Sequence, residues 1–131
     1  MADYILGCGS TVDLNETHLK ERNIEVLPFH FRLGEKDYND DFGKSISYKT
    51  LYAEMAKGVP AKTSQTTAGE YEEAFTPILE KGLDIVHVTL SSGISGSYES
   101  CLIAKKTLEE KFPGRKVYVV DSLCASSGYG M

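Results

Sequence analysis

Two short, nearly continuous apolar runs constrain the fold of this 131-residue chain more than any other feature. Residues 84–90 and 116–120 are rich in β-branched side chains, and a segment with helical periodicity separates them. Runs of this kind are typical of strands that are buried on both faces, as in parallel sheets. Parallel neighbours need a crossover connection, which a helix commonly provides with a right-handed turn. The pattern therefore predicts a βαβ unit.

Three segments carry helix signals that extend this unit. Ser47 can cap a first helix, and Thr67 with Glu70 forms a capping box at the start of a second helix. A third helix is predicted over residues 95–111, where apolar side chains are spaced three, four and four residues apart. Glycines follow the first and second helices at the positions where a left-handed residue commonly ends a helix.

The first forty residues add strands to these helices. Residues 3–6 are mostly apolar and are followed by Gly7, which predicts a first strand that ends there. Residues 24–31 alternate in polarity, but Pro28 near their middle favours an edge strand or a strand that bends. Turn residues 34–37 favour a small hairpin. Together these elements predict an α/β domain, Rossmann-like and three-layered, with a mainly parallel sheet.

Charge and composition exclude several classes of function. The net charge is −5, without a basic cluster, so we expect no nucleic-acid partner. No apolar run is long enough to span a bilayer and no basic-then-apolar leader opens the chain, which predicts a cytoplasmic protein without a transmembrane segment. The cysteines lack a CxxC pair and the histidines lack metal-ligand spacing, so we expect neither a metal nor another cofactor. His87 lies in an apolar run and is predicted to be packed in the core.

Four polar segments are candidates for a ligand site. Residues 7–11, 91–97 and 121–122 follow predicted strands, and residues 62–65 form a loop that leads into the capped helix. Ligands of open α/β sheets bind at the carboxyl ends of the strands, beside helix amino termini that carry partial positive charge. The hydroxyl groups and free amides of these segments therefore favour an anion, and Lys62 is the fixed cation among them.

The residues alone leave the chemistry of this site open. Residues 93–97 nearly match the G-x-S-x-G elbow of serine hydrolases, but they end in serine, and no histidine follows His87 where that family needs one. Residues 7–9 lack the third glycine of a dinucleotide fingerprint. Taken singly, Ser95 is explained as a helix N-cap and Thr63 as a loop hydroxyl. A Rossmann-like enzyme or a phosphate- or small-anion-binding domain remains the alternative at this point.

The order of four motifs resembles that of the DegV family. Residues 62–65, Lys-Thr-Ser-Gln, are similar to its KTSQ element, and residues 91–99 are similar to its SSGLSGTYQ element. Residues 10–14 resemble the STADL part of its start, and residues 121–130 resemble its DS…G-x-G segment. The resemblance covers nearly the whole chain. The chain departs from the family pattern at two places. Residues 8–9 are Cys-Gly where the family has Thr-Asp, and Thr66 replaces a proline.

The resemblance implies a lipid carrier that performs no catalysis. Proteins of this family hold one long-chain fatty acid and present its carboxylate to a fatty acid kinase. On this resemblance, Thr63 and Ser95 bind the carboxylate, as a pair of hydroxyl donors beside a helix amino terminus. Further contacts to the head group are expected from four neighbouring residues: Ser64, Ser92, Ile94 and Gly96.

The resemblance also implies a second domain that lies over the lipid and is absent from these residues. Residues 1–131 are therefore expected to be the amino-terminal, head-group-binding domain of a longer protein, with a half-open groove. Ile94, Phe29 and Phe31 are candidates for its apolar wall, and an exposed wall predicts self-association of the chain. Ser97 and Ser100 are expected to face away from the carboxylate.

Overall fold

A computed structural model describes residues 3–131 of the chain, which contain seven strands and five helices. The strands are β1 (Tyr4–Gly9), β2 (Glu25–Leu27), β3 (His30–Leu33), β4 (Lys36–Asn39), β5 (Ala61–Ser64), β6 (Asp84–Thr89) and β7 (Val117–Asp121). The helices are α1 (Glu16–Glu21), α2 (Tyr48–Ala56), α3 (Ala68–Glu80), α4 (Ser97–Lys111) and α5 (Ser127–Gly130), and a 3-10 turn covers Ser10–Val12.

The main sheet contains four parallel strands in the order β2-β1-β6-β7. Helix α4 connects the neighbouring strands β6 and β7, as the two apolar runs predict. The α/β fold with a mainly parallel sheet is therefore confirmed. So are the caps of α2 and α3: Ser47 Oγ accepts a hydrogen bond from Thr50 N at 3.1 Å, and Thr67 forms the predicted reciprocal capping box with Glu70.

A second, smaller sheet is antiparallel, with the order β4-β3-β5. The predicted strand over residues 24–31 is in fact two strands, because the chain leaves the main sheet after β2 and turns at Pro28 into the small sheet. The predicted hairpin is the pair β3–β4, with Gly34 at a φ of 62° in its turn. Residues 62–65 are not simply a loop, because most of them belong to β5. This strand is polar and exposed, so it has no apolar alternation to reveal it.

Gly7 does not end the first strand but lies inside β1. It pairs with His87 across the sheet, and a Cβ atom at Gly7 would lie 2.7 Å from Nδ1 of that ring. Gly7 is therefore required by a close approach within the sheet, and the expectation of a stop was wrong at this position.

Helices α3 and α4 cover one face of the main sheet, which we call the front face. Phe75 and His87 are fully buried there, with ring centroids 5.3 Å apart, and Tyr71 meets the same imidazole edge-on at 5.3 Å. The two ring nitrogens of His87 have no hydrogen-bond partner in the described residues. Burial lowers the pKa of His87 to about 3, so the ring is a neutral core residue, as predicted.

The opposite face is covered only in part. At the carboxyl end of β1, Cys8 packs with Leu19 of α1 and with Tyr129 of α5. The rest carries side chains that alternate with the buried ones and are exposed, including Tyr4 at 52% and Tyr118 at 53%. We call this surface the back face; its residues are Tyr4, Leu6, Val86, Val88, Tyr118 and Val120. No helix within residues 3–131 is long and apolar enough to cross a membrane.

Candidate functional site

A cleft of about 700 Å³ opens between the small sheet, α2 and the loop that precedes α4. Five of the six residues predicted for the head-group site line it: Thr63, Ser64, Ile94, Ser95 and Gly96. The sixth, Ser92, is not part of the lining. The cleft therefore brings together two motifs that are about thirty residues apart in the sequence.

Thr63 reaches the cleft because of its register in the small sheet. It pairs with Phe31 of β3, and directly paired residues project from the same face of a sheet. Phe31 in turn stacks on Tyr38 of β4, with ring centroids 5.5 Å apart. The Thr63 side chain is exposed and has no hydrogen-bond partner within residues 3–131, so its hydroxyl is available to a ligand.

Ser95 lies one residue before the N-cap of α4, whereas the sequence predicted Ser95 itself as the N-cap. The N-cap of α4 is Gly96, and the Ser95 hydroxyl instead accepts a hydrogen bond from Ser97 N at 3.2 Å. Its Oγ is also 3.1 Å from Oγ of Ser97, which is buried and does not face away from the site as expected. In this bond the Ser95 hydroxyl donates to Ser97, and because hydroxyl hydrogens rotate, Ser95 can exchange it for a hydrogen bond to an anion.

The amino terminus of α4 adds a favourable field to this end of the cleft. Helix α4 has 15 residues, and Gly96 provides no side-chain cap for its first amides. Such a terminus carries roughly half a positive charge. Lys62 lies in the cleft lining as well. This end of the cleft is therefore suited to an anionic group.

Ser92 and the Asp121-Ser122 motif have a different role. Asp121 Oδ1 accepts hydrogen bonds at 3.1 Å from the amides of both Ser92 and Leu123. The pKa of Asp121 is lowered, chiefly by a hydrogen bond with the Ser92 side chain and in addition by these two amides. These contacts join the loop after β6 to the loop after β7 and hold Ser92 outside the cleft. Ser92 is therefore not part of the cleft lining, and a contact between it and a head group stays a prediction.

The sides of the cleft are apolar. The three residues proposed as an apolar wall, Phe29, Phe31 and Ile94, all line it. Phe29 is held by the backbone, because its amide donates to Ser10 Oγ at 3.0 Å and Ser10 donates to Asp40 at 2.8 Å. Sequence reasoning missed the other wall, which α2 supplies with three residues: Leu51, Tyr52 and Met55.

The apolar stripe of α2 was the signal that could have located this wall. Tyr48, Leu51, Tyr52 and Met55 fall on one side of the helix, yet no residue of α2 is buried, and Tyr52 is 67% exposed. A stripe of this kind usually faces a core, but here it faces the cleft. A cleft with a polar, anion-binding end and apolar sides is suited to an amphiphilic ligand.

The described residues give the Ser95 hydroxyl no hydrogen bond to a histidine or a carboxylate. They contain no group of three or more His, Cys, Asp or Glu side chains that could hold a metal ion. Within residues 3–131 the hydrogen bonds of the Ser95 side chain go to Ser97. His87 is enclosed in the core between aromatic rings and cannot serve Ser95 as a base.

The fold is that of an α/β domain with a cleft that is polar at one end and apolar at its sides, and the comparisons with known proteins identify its family. Residues 8–131 match the family described as "Uncharacterised protein, DegV family". The chain belongs to the DegV family. A DegV domain-containing protein of Lactococcus lactis is 36% identical over 92% of this chain and 42% of its own length. A DegV domain-containing 15.5 kDa protein of Staphylococcus aureus is 30% identical over 99% of this chain and 88% of its own length.

Solved structures show the same fold. A stearic-acid-binding protein from Eubacterium ventriosum matches 94% of this chain with a TM-score of 0.84 and 28% identity. A fatty-acid-binding DegV family protein from Thermus thermophilus matches 98% with a TM-score of 0.83 and 27% identity. DegV of Bacillus subtilis, described as a fatty acid binding protein, matches 99% with a TM-score of 0.84 and 25% identity. The chain spans 42–44% of the length of these three proteins.

Proposed function

We propose that this chain binds a long-chain fatty acid in the cleft, with its carboxylate at Thr63 and Ser95. The observation that carries the proposal is that one cleft joins these two hydroxyl groups and the α4 amino terminus to an apolar wall. Family membership supports it, because the similar proteins of Eubacterium ventriosum and Thermus thermophilus bind fatty acids. Ser64, Ile94 and Gly96 line the same end of the cleft and would contact the head group.

The two ends of the ligand would contribute differently to affinity. A hydrogen bond to a charged group contributes about 1.5–3 kcal/mol. Burial of a methylene contributes about 0.8 kcal/mol, so the transfer of a fully enclosed tail of about fourteen methylenes is worth on the order of 10 kcal/mol. The hydroxyl pair therefore sets the orientation and the preference for an acid, while the apolar walls supply most of the affinity.

We further propose that the bound carboxylate is presented to a cytoplasmic fatty acid kinase and that the chain itself is not an enzyme. Thr63 is exposed and Ser95 is half-buried, so a carboxylate held by both remains accessible from outside. This arrangement fits a carrier, because a catalytic serine would need a base within hydrogen-bond reach. The alternative, a phosphate- or small-anion-binding domain, would use Lys62 and the α4 amino terminus but has no need of the apolar walls.

Calorimetric titration with stearate and with inorganic phosphate tests the site. Thr63→Ala and Ser95→Ala should each weaken stearate binding by about 1–2 kcal/mol, roughly five- to thirtyfold, since a charged hydrogen bond is lost while the tail stays bound. Thr107→Ala is the matched control, because its exposed hydroxyl lies on the distant part of α4. Full stearate affinity in both site variants would place the head group elsewhere, and tight phosphate binding would favour the alternative.

Incubation with acyl esters tests the absence of catalysis. We expect no ester hydrolysis above the buffer rate, because the His30–Glu70 pair at the cleft makes no hydrogen bond with Ser95, whose hydroxyl contacts Ser97 instead. Hydrolysis that disappears in the Ser95→Ala variant would contradict the carrier function.

We also propose that the 131-residue chain self-associates through the back face. Its large exposed side chains, Tyr4, Leu6, Tyr118 and Val120, are all hydrophobic, and the charged Asp84 lies at its margin, at the start of β6. A surface with an uncharged centre can be complementary to a second copy of itself, as the symmetric interface of a homodimer requires. Contiguous apolar patches on a protein surface are commonly covered by a partner.

A further inference from the structure

We propose that Gln65 is a positioning residue, which holds the end of β5 against the first turn of α4 and so sets the spacing of the Thr63 and Ser95 hydroxyl groups. The inference rests on the proposed function, since it explains how two separate segments form one carboxylate site. It concerns a residue that comes two positions after Thr63 and whose side chain reaches the other motif.

The first observation is a hydrogen bond between the first motif and helix α4. Gln65 Nε2 donates to Ser100 Oγ at 3.2 Å, and Ser100 lies in the first turn of α4. The next residue, Thr66, is tied elsewhere, because its hydroxyl donates to the Pro28 carbonyl at 3.2 Å. Gln65 is therefore the side chain of this segment that connects β5 to α4.

The second observation is the fit of Gln65 against Gly96. A Cβ atom at Gly96 would lie 2.5 Å from Oε1 and 2.9 Å from Nε2 of Gln65, closer than real Cβ atoms approach such atoms. The backbone does not require glycine here, because the φ of −76° is open to any residue. Glycine is needed at position 96, immediately after Ser95, because the Gln65 amide lies against it.

The small sheet and α4 need such a connection. Strand β5 is at the edge of the small sheet, whereas α4 packs on the front face of the main sheet. Relative movement of the two would change the distance between the Thr63 and Ser95 hydroxyl groups. Two donors can share one carboxylate only at a suitable spacing, so a side chain that fixes the spacing favours an acid over an uncharged head group.

The test compares two ligands with the same tail, stearate and methyl stearate. Gln65→Ala should weaken stearate binding about fivefold and leave methyl stearate binding unchanged, since the ester lacks the charge that two donors share. Gly96→Ala should have the same effect, because the new methyl group displaces the flexible end of Gln65 without straining the backbone. The double variant should lose no more than Gln65→Ala alone, as expected for two changes to one interaction.

Ser100→Ala separates positioning from direct contact. If the hydrogen bond to Ser100 holds the amide, this variant should also bind stearate more weakly. Full stearate affinity in Ser100→Ala, with a loss in Gln65→Ala, would show that the amide contacts the ligand itself and would overturn the inference. Equal losses for acid and ester would overturn it too. No stearate binding by the unmodified chain would overturn the proposed function and the inference together, whereas losses in Thr63→Ala and Ser95→Ala with full affinity in Gln65→Ala would overturn the inference alone.

Discussion

The front and back faces of the main sheet are made by the same strands but have different environments. On the front face, Ile85, His87 and Val117 are buried beneath α3 and α4. On the back face, Tyr118 and Val120, which alternate with Val117 along β7, are exposed. The strands are apolar on both sides, so strand composition does not decide which face is covered. The difference comes from the helices, because α3 and α4 supply buried apolar stripes to the front face.

The largest expected contrast between the faces is in the free energy of unfolding. Phe75→Ala should lower it by about 3–5 kcal/mol, since Phe75 is fully buried against His87 and its removal leaves a cavity. Tyr118→Ala should lower it by less than about 1 kcal/mol, because half of that side chain is already in water. Urea unfolding followed by circular dichroism, at a low protein concentration, measures both. Similar losses for the two variants would show that the back face is covered under those conditions.

Acid should destabilise the chain through the front face. Burial lowers the pKa of His87 to about 3, against about 6.5 in an unfolded chain. Between these values the unfolded state binds a proton that the folded state does not, so stability falls as the pH drops below about 6.5 and continues to fall towards 3. The loss should reach about 1 kcal/mol or more by pH 5, where many carboxylates are still charged.

His87→Leu is the variant that isolates this contribution. It replaces the ring by an apolar side chain without a titrating group, so stability between pH 6.5 and 5 should depend less on pH than in the unmodified chain. The slopes of unfolding free energy against pH measure the difference. Identical slopes in the two proteins would mean that His87 keeps its ordinary pKa in the folded state.

Local signals in the sequence predicted the parts of the fold that cover the front face. The capping box of Thr67 and Glu70 located α3, and the β-branched runs located β6 and β7. Each of these signals is complete within a few residues. They also gave the parallel topology, because a helix between two buried strands allows few arrangements.

The parts that were missed depend on contacts between distant segments. Helix α1 has six residues, too few for a periodic pattern, and β5 is a polar edge strand that pairs only with β3. The cleft could be predicted only by resemblance to a family, because Thr63 and Ser95 meet through the small sheet. The position of Ser95 before the N-cap follows from its hydrogen bond with Ser97, which no local pattern reveals.

The next largest expected difference between the two faces is in self-association, which should use the back face. The unmodified chain is expected to form dimers in sedimentation velocity experiments at micromolar concentrations, whereas Tyr118→Lys should be a monomer, since a charge would be buried in the interface. Ile103→Lys is the matched control: Ile103 is 59% exposed on the outer side of α4, away from the back face. A dimer that persists in Tyr118→Lys but dissociates on addition of stearate would place the interface at the cleft. A monomeric unmodified chain would contradict self-association altogether.

The smallest expected effect concerns the caps of two helices, one over the front face and one away from it. Thr67 caps α3, whose residues Tyr71 and Phe75 are buried, so Thr67→Ala should lower the unfolding free energy by about 1 kcal/mol. Ser47 caps α2 in the same way, but α2 has no buried residue, so fraying of its first turn uncovers no core. Ser47→Ala should therefore lower the unfolding free energy by less than Thr67→Ala, while it loosens the α2 wall of the cleft.

Urea unfolding of both variants, together with stearate titration, measures the two effects. If Ser47→Ala lowered the unfolding free energy as much as Thr67→Ala, α2 would contribute to the core as α3 does. The two helices would then not differ in the way that the covered front face differs from the open cleft.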